Sequence, residues 1–166
     1  ALAALDAAPA FDSSRGKVGI NQDRHNRVLI WTRATVLRDM GDAQGALALL
    51  EKSAPGALEH EFDRNSYSGR LSLVLCGVGR YAEGVKLLSA SLAREEQKPH
   101  HPGNPWLAAD LAYLGLCQLH AGHRAAALAM AAKARVAFLA QPDVSPYFKA
   151  SLADLERALR LRLPPI

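Results

Sequence analysis

Gly41-Asp42-Ala43-Gln44-Gly45-Ala46-Leu47, Gly79-Arg80-Tyr81-Ala82-Glu83-Gly84-Val85 and Gly122-His123-Arg124-Ala125-Ala126-Ala127-Leu128 are three versions of one phrase. Each closes an apolar stretch of helical spacing and opens another. The glycines stand 38 and then 43 residues apart. Self-similarity at such a period marks stacked helix-turn-helix units. Arrays of this kind present surfaces more often than they perform chemistry.

The totals agree with a folded helical array. At 166 residues, 49% of them hydrophobic, the chain has material for a substantial core. Alanine and leucine abound, while β-branched and aromatic residues are scarce, which favours helix over sheet. The nine prolines and twelve glycines fall mostly between apolar stretches. The net charge of +4 is concentrated late: residues 122–166 hold seven Lys/Arg against three Asp/Glu. Those arginines are spaced along helices, with no basic run and no interleaved aromatics, so they read as a solvated face rather than a nucleic-acid contact. Cys76 and Cys117 form no zinc or C-x-x-C pattern and read as small buried hydrophobes, although an even count permits a disulfide. No apolar run approaches the roughly 18 residues of a membrane span, and no signal peptide is visible.

Element by element, Leu2–Ala8 reads as the tail of a helix whose partner lies upstream, and Phe11–Asn21 as a loop. A first helix runs from Gln22 to Met40, with Val28, Leu29, Trp31, Thr35 and Leu37 as its apolar face; Gly41 stops it and Asp42 caps the next. That second helix reaches about Lys52 and ends at Ser53-Ala54-Pro55-Gly56. Glu61–Val78 repeats the plan with Leu71, Leu75 and Val78, followed by Tyr81, Val85, Leu88 and Leu92. Asn104-Pro105 is a cap followed by a first-turn proline, opening a pair over Pro105–Ala121 and His123–Ala140. Ser145-Pro146 starts a last helix by the same logic, with Phe148, Leu152, Leu155 and Leu159 on one face, to cover the end of the stack.

Small residues recur at matched places. Ala46, Gly84 and Ala127 stand five after each glycine; Leu50, Leu88 and Ala131 nine after; Ser53, Ser91 and Ala134 twelve after; and Ala34, Ser72 and Gly115 seven before. This pattern resembles the tetratricopeptide repeat. The longer period and the connection Lys98-Pro-His-His-Pro-Gly-Asn-Pro-Trp-Leu-Ala108 resemble its kinesin-light-chain type. The resemblance spans residues 22–163, leaving 1–21 as the end of a preceding repeat and a loop. It implies an all-α, right-handed superhelical stack of about three repeats with a C-terminal capping helix.

The resemblance also implies a concave groove lined by the first helix of each pair. In that register the partner-binding side chains are Trp31, Thr35, Arg38, Ser66, Arg70, Leu73, Tyr113 and Leu116, with Ala109 beside them. The carboxylate clamp of co-chaperone repeats does not carry over, since only Arg70 fits it. What remains is a mixed aromatic and arginine surface, suited to an extended or helical segment; Trp31 and Tyr113 packing between repeats is the plainer alternative.

The sequence indicates no catalytic constellation. His100-His101 and His120/His123 flank one helix of about 16 residues, hence stand roughly 24 Å apart, too far to share an ion. His60-Glu61 lacks a second histidine, and no phosphate loop or nucleophile elbow occurs. No enzyme, metal or cofactor is expected. The expectation is a protein-interaction or sensory module, the C-terminal part of a larger bacterial regulatory protein, with a protein or peptide as partner and no membrane contact. The alternatives are a receptor for a small ligand or peptide signal, and a nucleic-acid-contacting accessory domain using Arg157, Arg160 and Arg162. An incomplete first repeat leaves apolar surface that a second copy could cover. Free thiols point to the cytoplasm, with a periplasmic sensor domain as the other choice.

Overall fold

The computed structural model describes residues 2–7, 20–57, 61–97 and 104–161, with side chains at 2–7, 25–54, 67–97 and 104–161. These residues form eight helices and no strand: α1 (Leu2–Asp6), α2 (Ile20–Asp39), α3 (Ala43–Ala57), α4 (Glu61–Gly77), α5 (Tyr81–Glu96), α6 (Pro105–His120), α7 (Arg124–Leu139) and α8 (Pro146–Ala158). They divide into two compact units, Ala1–Gly79 and Arg80–Ile166. The division falls at the second of the three glycine phrases. Residues 11–19, the 58–60 connection, the 98–103 linker with His100 and His101, and Arg162 onward lie outside the described residues.

The three glycines do what the phrase implies. Gly41, Gly79 and Gly122 sit at φ +91°, +83° and +85°, the left-handed region where a Cβ is costly. At Gly41 the amide donates to the Arg38 carbonyl (2.9 Å) while Asp42 N–H reaches back to Leu37 O (2.9 Å). This pair of bonds satisfies carbonyls that the ending helix would otherwise orphan. Gly122 and His123 repeat it onto Leu119 and Gln118, at 3.0 and 2.8 Å. At the end of α8 the same turn is made without glycine: Arg160 takes φ +56°, and Leu161 N–H bonds Glu156 O at 2.9 Å.

Helix starts are capped unevenly. Asp42 Oδ1 accepts from Gly45 N–H at 2.8 Å, Asn104 from Trp106 N–H at 3.1 Å, and Ser145 from Tyr147 N–H at 3.3 Å. Arg80 and His123 occupy the same position with no side-chain cap bond.

In the first unit, α2 and α3 form a hairpin, and α4 packs against both. Trp31, Ala34, Ala46, Leu47, Leu50, Tyr67, Val74 and Leu75 are buried there. An ion pair from Asp6 to Arg33 ties α1 to α2. In the second unit, α6 is the centre, packed by α5, α7 and α8. Ala108, Ala112 and Gly115 of α6 and Ala127, Ala131 and Ala134 of α7 are all buried in this unit. A Cβ on Gly115 would lie 2.5 Å from Leu155 Cδ2 and 3.2 Å from Met130 Cβ. Leu152, Leu155 and Leu159 drive α8 onto this core, each worth about 2 kcal/mol by burial. Two polar ties hold the C-terminal end of α8: Arg135 Nη1 meets Glu156 Oε1 at 2.9 Å, and Arg124 Nη2 donates to Leu159 O at 3.0 Å. The second bond places a cation on the carbonyl end of α8, where the helix dipole favours it.

Three expectations need correction. The helix after Asp42 does not end near Lys52: the backbone of α3 stays helical through Pro55 to Ala57. A proline in the last turn deletes one helical donor without requiring the chain to leave the helix. Val28, expected on the inner face of α2, is exposed, because Trp31 and Ala34 supply that face instead. Neither cysteine is free; Cys76 and Cys117 are both disulfide-bonded. The ground for a cytoplasmic assignment therefore falls away.

Candidate interaction surface

In the first unit, α2 and α4 bring several of the groove residues together. Trp31 is only 1% exposed and meets Tyr67 with ring centroids 6.5 Å apart, tilted at 49°. The Arg70 guanidinium carbon stands 5.5 Å from the centre of the Trp31 ring, a cation–π arrangement that holds the positive charge beside the aromatic pair. Trp31 is thus a core residue whose ring packs, and it is not open to a partner. Its buried indole N–H has no acceptor among the described residues.

Around this centre the other expected side chains are half-buried. The Thr35 hydroxyl donates to Trp31 O at 3.0 Å, a back-bond within the helix. Arg38 directs Nε and Nη2 onto Asp39 Oδ1, at 2.9 and 2.6 Å. Leu73 lies one turn beyond Arg70 on α4. Ser66 has its side chain outside the described residues. Burial raises the Tyr67 hydroxyl above the ordinary tyrosine range, with the Glu51 carboxylate pushing the same way.

In the second unit Tyr113 and Leu116 are half-buried on one face of α6, whereas Ala109 is buried. Beside them, two features escaped the sequence reading. Trp106 and Tyr147 are exposed, and each meets Phe148 edge-to-face, at 4.8 and 5.3 Å. These rings follow the two capped prolines, so each begins a helix. The other feature is the outward side of α7, where Leu128, Val136 and Leu139 are 39, 69 and 59% exposed. Tyr67 was missed as well; its signal was an aromatic one turn before Arg70.

His120 stacks on Tyr81 at 5.5 Å, His123 is exposed at the start of α7, and no group of three or more His, Cys, Asp or Glu among the described residues could hold a metal. Nor is any helix among the described residues long and apolar enough to cross a membrane. Glu83 accepts both Nε and Nη2 of Arg80 at 2.7 Å, which holds its carboxyl below the usual carboxylate range.

Compared with known proteins, the chain matches no family model, no curated protein and no solved structure.

Proposed function

We propose that this chain is a non-catalytic protein-interaction module of the tetratricopeptide kind, which binds extended or helical peptide segments on the first helices of its pairs, α2 and α4 in the first unit and, separately, α6 in the second. The observation that carries the reading is the burial of the matched small positions. Ala34, Ala46, Ser72, Gly84, Gly115, Ala127, Ala131, Ala134 and Ser91 are buried and Ser53 is half-buried, in keeping with a repeat built on close helix approach. In the first unit, half-buried Thr35, Arg38, Arg70 and Leu73 offer guanidinium, hydroxyl and apolar groups, and in the second unit half-buried Tyr113 and Leu116 offer an aromatic and an apolar one. In this reading the repeats wind as a right-handed superhelix, and the chain serves as the sensory or docking part of a bacterial regulator.

The test is a peptide library presented to the immobilised intact chain. A recovered peptide should lose about tenfold or more in affinity with Arg70→Glu and Leu73→Ser, or with Tyr113→Ala. The reading fails if no peptide is recovered at low and moderate salt. It fails equally if every recovered peptide ignores substitutions on α4 and α6.

A further inference from the structure

The outward side of α7 differs from those of the other second helices. On α5 the exposed residues include Glu83, Lys86, Arg94 and Glu96, a solvated mixture of both signs; on α3 they include Gln44, Glu51 and Lys52. On α7 they are Ala125, Leu128, Ala129, Ala132, Val136 and Leu139, flanked by Arg124 and Lys133. The spacings of three and four place these residues on one continuous stripe, opposite the buried Ala127, Ala131, Ala134 and Phe138. A second apolar stripe on a helix already anchored by its first has no role in the unit's own core.

The charges say what fits it. α7 contains Arg124, Lys133 and Arg135 and not one Asp or Glu. Arg135 is neutralised by Glu156, whereas Lys133 is exposed and joins no ion pair among the described residues. A second copy of α7 laid antiparallel on the first would bring Lys133 towards Lys133, since that residue lies near the middle of Arg124–Leu139, and like charges there oppose pairing. The alanines add a geometric demand: without long side chains at 125, 129 and 132, another backbone can approach closely, with Leu128, Val136 and Leu139 as knobs.

We propose that the outward face of α7 docks an amphipathic helix of a partner protein, one whose apolar stripe is bordered by Asp or Glu. α7 is about 24 Å long, so the contact is a short helix pair of micromolar strength rather than an obligate interface. This surface is separate from the first-helix face proposed above, and neither proposal depends on the other.

The experiment uses the full chain and two synthetic helical peptides of roughly 18 residues. They share one Leu/Ala stripe; one is bordered by Glu and the other by Lys. Fluorescence anisotropy should show the Glu peptide binding at least about fivefold tighter, with the preference weakened by salt. Val136→Gln with Leu139→Gln should weaken it about tenfold or more without moving the thermal midpoint, because both side chains are already exposed. Lys133→Glu should shift the preference towards the Lys peptide, which a merely structural role would not produce. The proposal is overturned if neither peptide binds, if both bind alike, or if the glutamine pair changes nothing. Recruitment of the chain to anionic phospholipid vesicles, lost in the glutamine pair while the peptides stay unbound, would assign the face to a lipid surface. A concentration-dependent dimer lost in the same variant would assign it to a second copy.

Discussion

The two units solve one packing problem in opposite ways. In the first, α2 and α4 are held apart at a distance that large rings fill, Trp31 against Tyr67 with Arg70 over the indole. In the second, α6 and α7 bury alanines, and Gly115 of α6 leaves no room for a Cβ against Leu155 of α8 and Met130 of α7. A filled gap fails when its filler is removed; a close approach fails when anything is added.

The largest effect tests the filled gap. Trp31→Ala should cost about 3–5 kcal/mol, the usual range for losing a buried aromatic, read as a lowered urea midpoint. Trp31→Phe should cost far less than its lost area implies, because it also removes an indole N–H that is buried without an acceptor among the described residues. If the two variants melted alike, the ring would not be serving as filler and the comparison would collapse.

The close approach is broken by a single methyl. Gly115→Ala places a Cβ against Leu155, itself fully buried, and should cost about 1–3 kcal/mol. Gly69 on α4 is the control, since a Cβ there meets nothing within 4 Å. Gly69→Ala should stabilise by about 0.5–1 kcal/mol through helix propensity alone. Equal effects of the two substitutions would mean that propensity, and not proximity to α8, governs Gly115.

Much of this contrast could be read from the chain, and the limits of the reading have physical causes. The turns were legible because left-handed φ is nearly a glycine property, and the starts of α6 and α8 because Asn-Pro and Ser-Pro combine a cap with a fixed φ. Arg160 escaped for the converse reason: arginine has no local preference for the left-handed φ that it adopts here. The burial of Trp31 depends on Tyr67 from another helix, which no local period encodes. On α7 the sequence Arg124–Leu139 is apolar almost all round, so periodicity could not say which stripe faces inward and the exposed one went unnoticed. The disulfide-bonded state of Cys76 and Cys117 was equally invisible, since spacing along a helical array says little about which thiols meet.

Capping separates the units more gently. Asp42→Ala should cost the first unit about 1 kcal/mol, as the Gly45 amide loses its acceptor. His123→Asp should give the second unit a similar gain, because His123 holds the equivalent position with no cap bond, and a carboxylate there also suits the dipole of α7. Thermal melts of the two single variants should shift in opposite directions.

The smallest expected effect concerns the one turn made without glycine. Arg160 has φ +56° and the same pair of reverse hydrogen bonds that Gly41 and Gly122 support. A left-handed conformation costs a residue with a Cβ roughly 1 kcal/mol, while glycine adds somewhat less than that in unfolded-chain entropy. Arg160→Gly should therefore stabilise the second unit by only a few tenths of a kcal/mol, and Arg160→Asn by about the same, since asparagine tolerates this region. Arg160→Val should be clearly destabilising, because a β-branched side chain crowds the left-handed backbone most. Placing the three variants in that order by thermal melts would show that α8 is held by its buried leucines and its ties to Arg124 and Arg135, with the turn following. A large gain from glycine would mean instead that strain at Arg160 limits the whole unit.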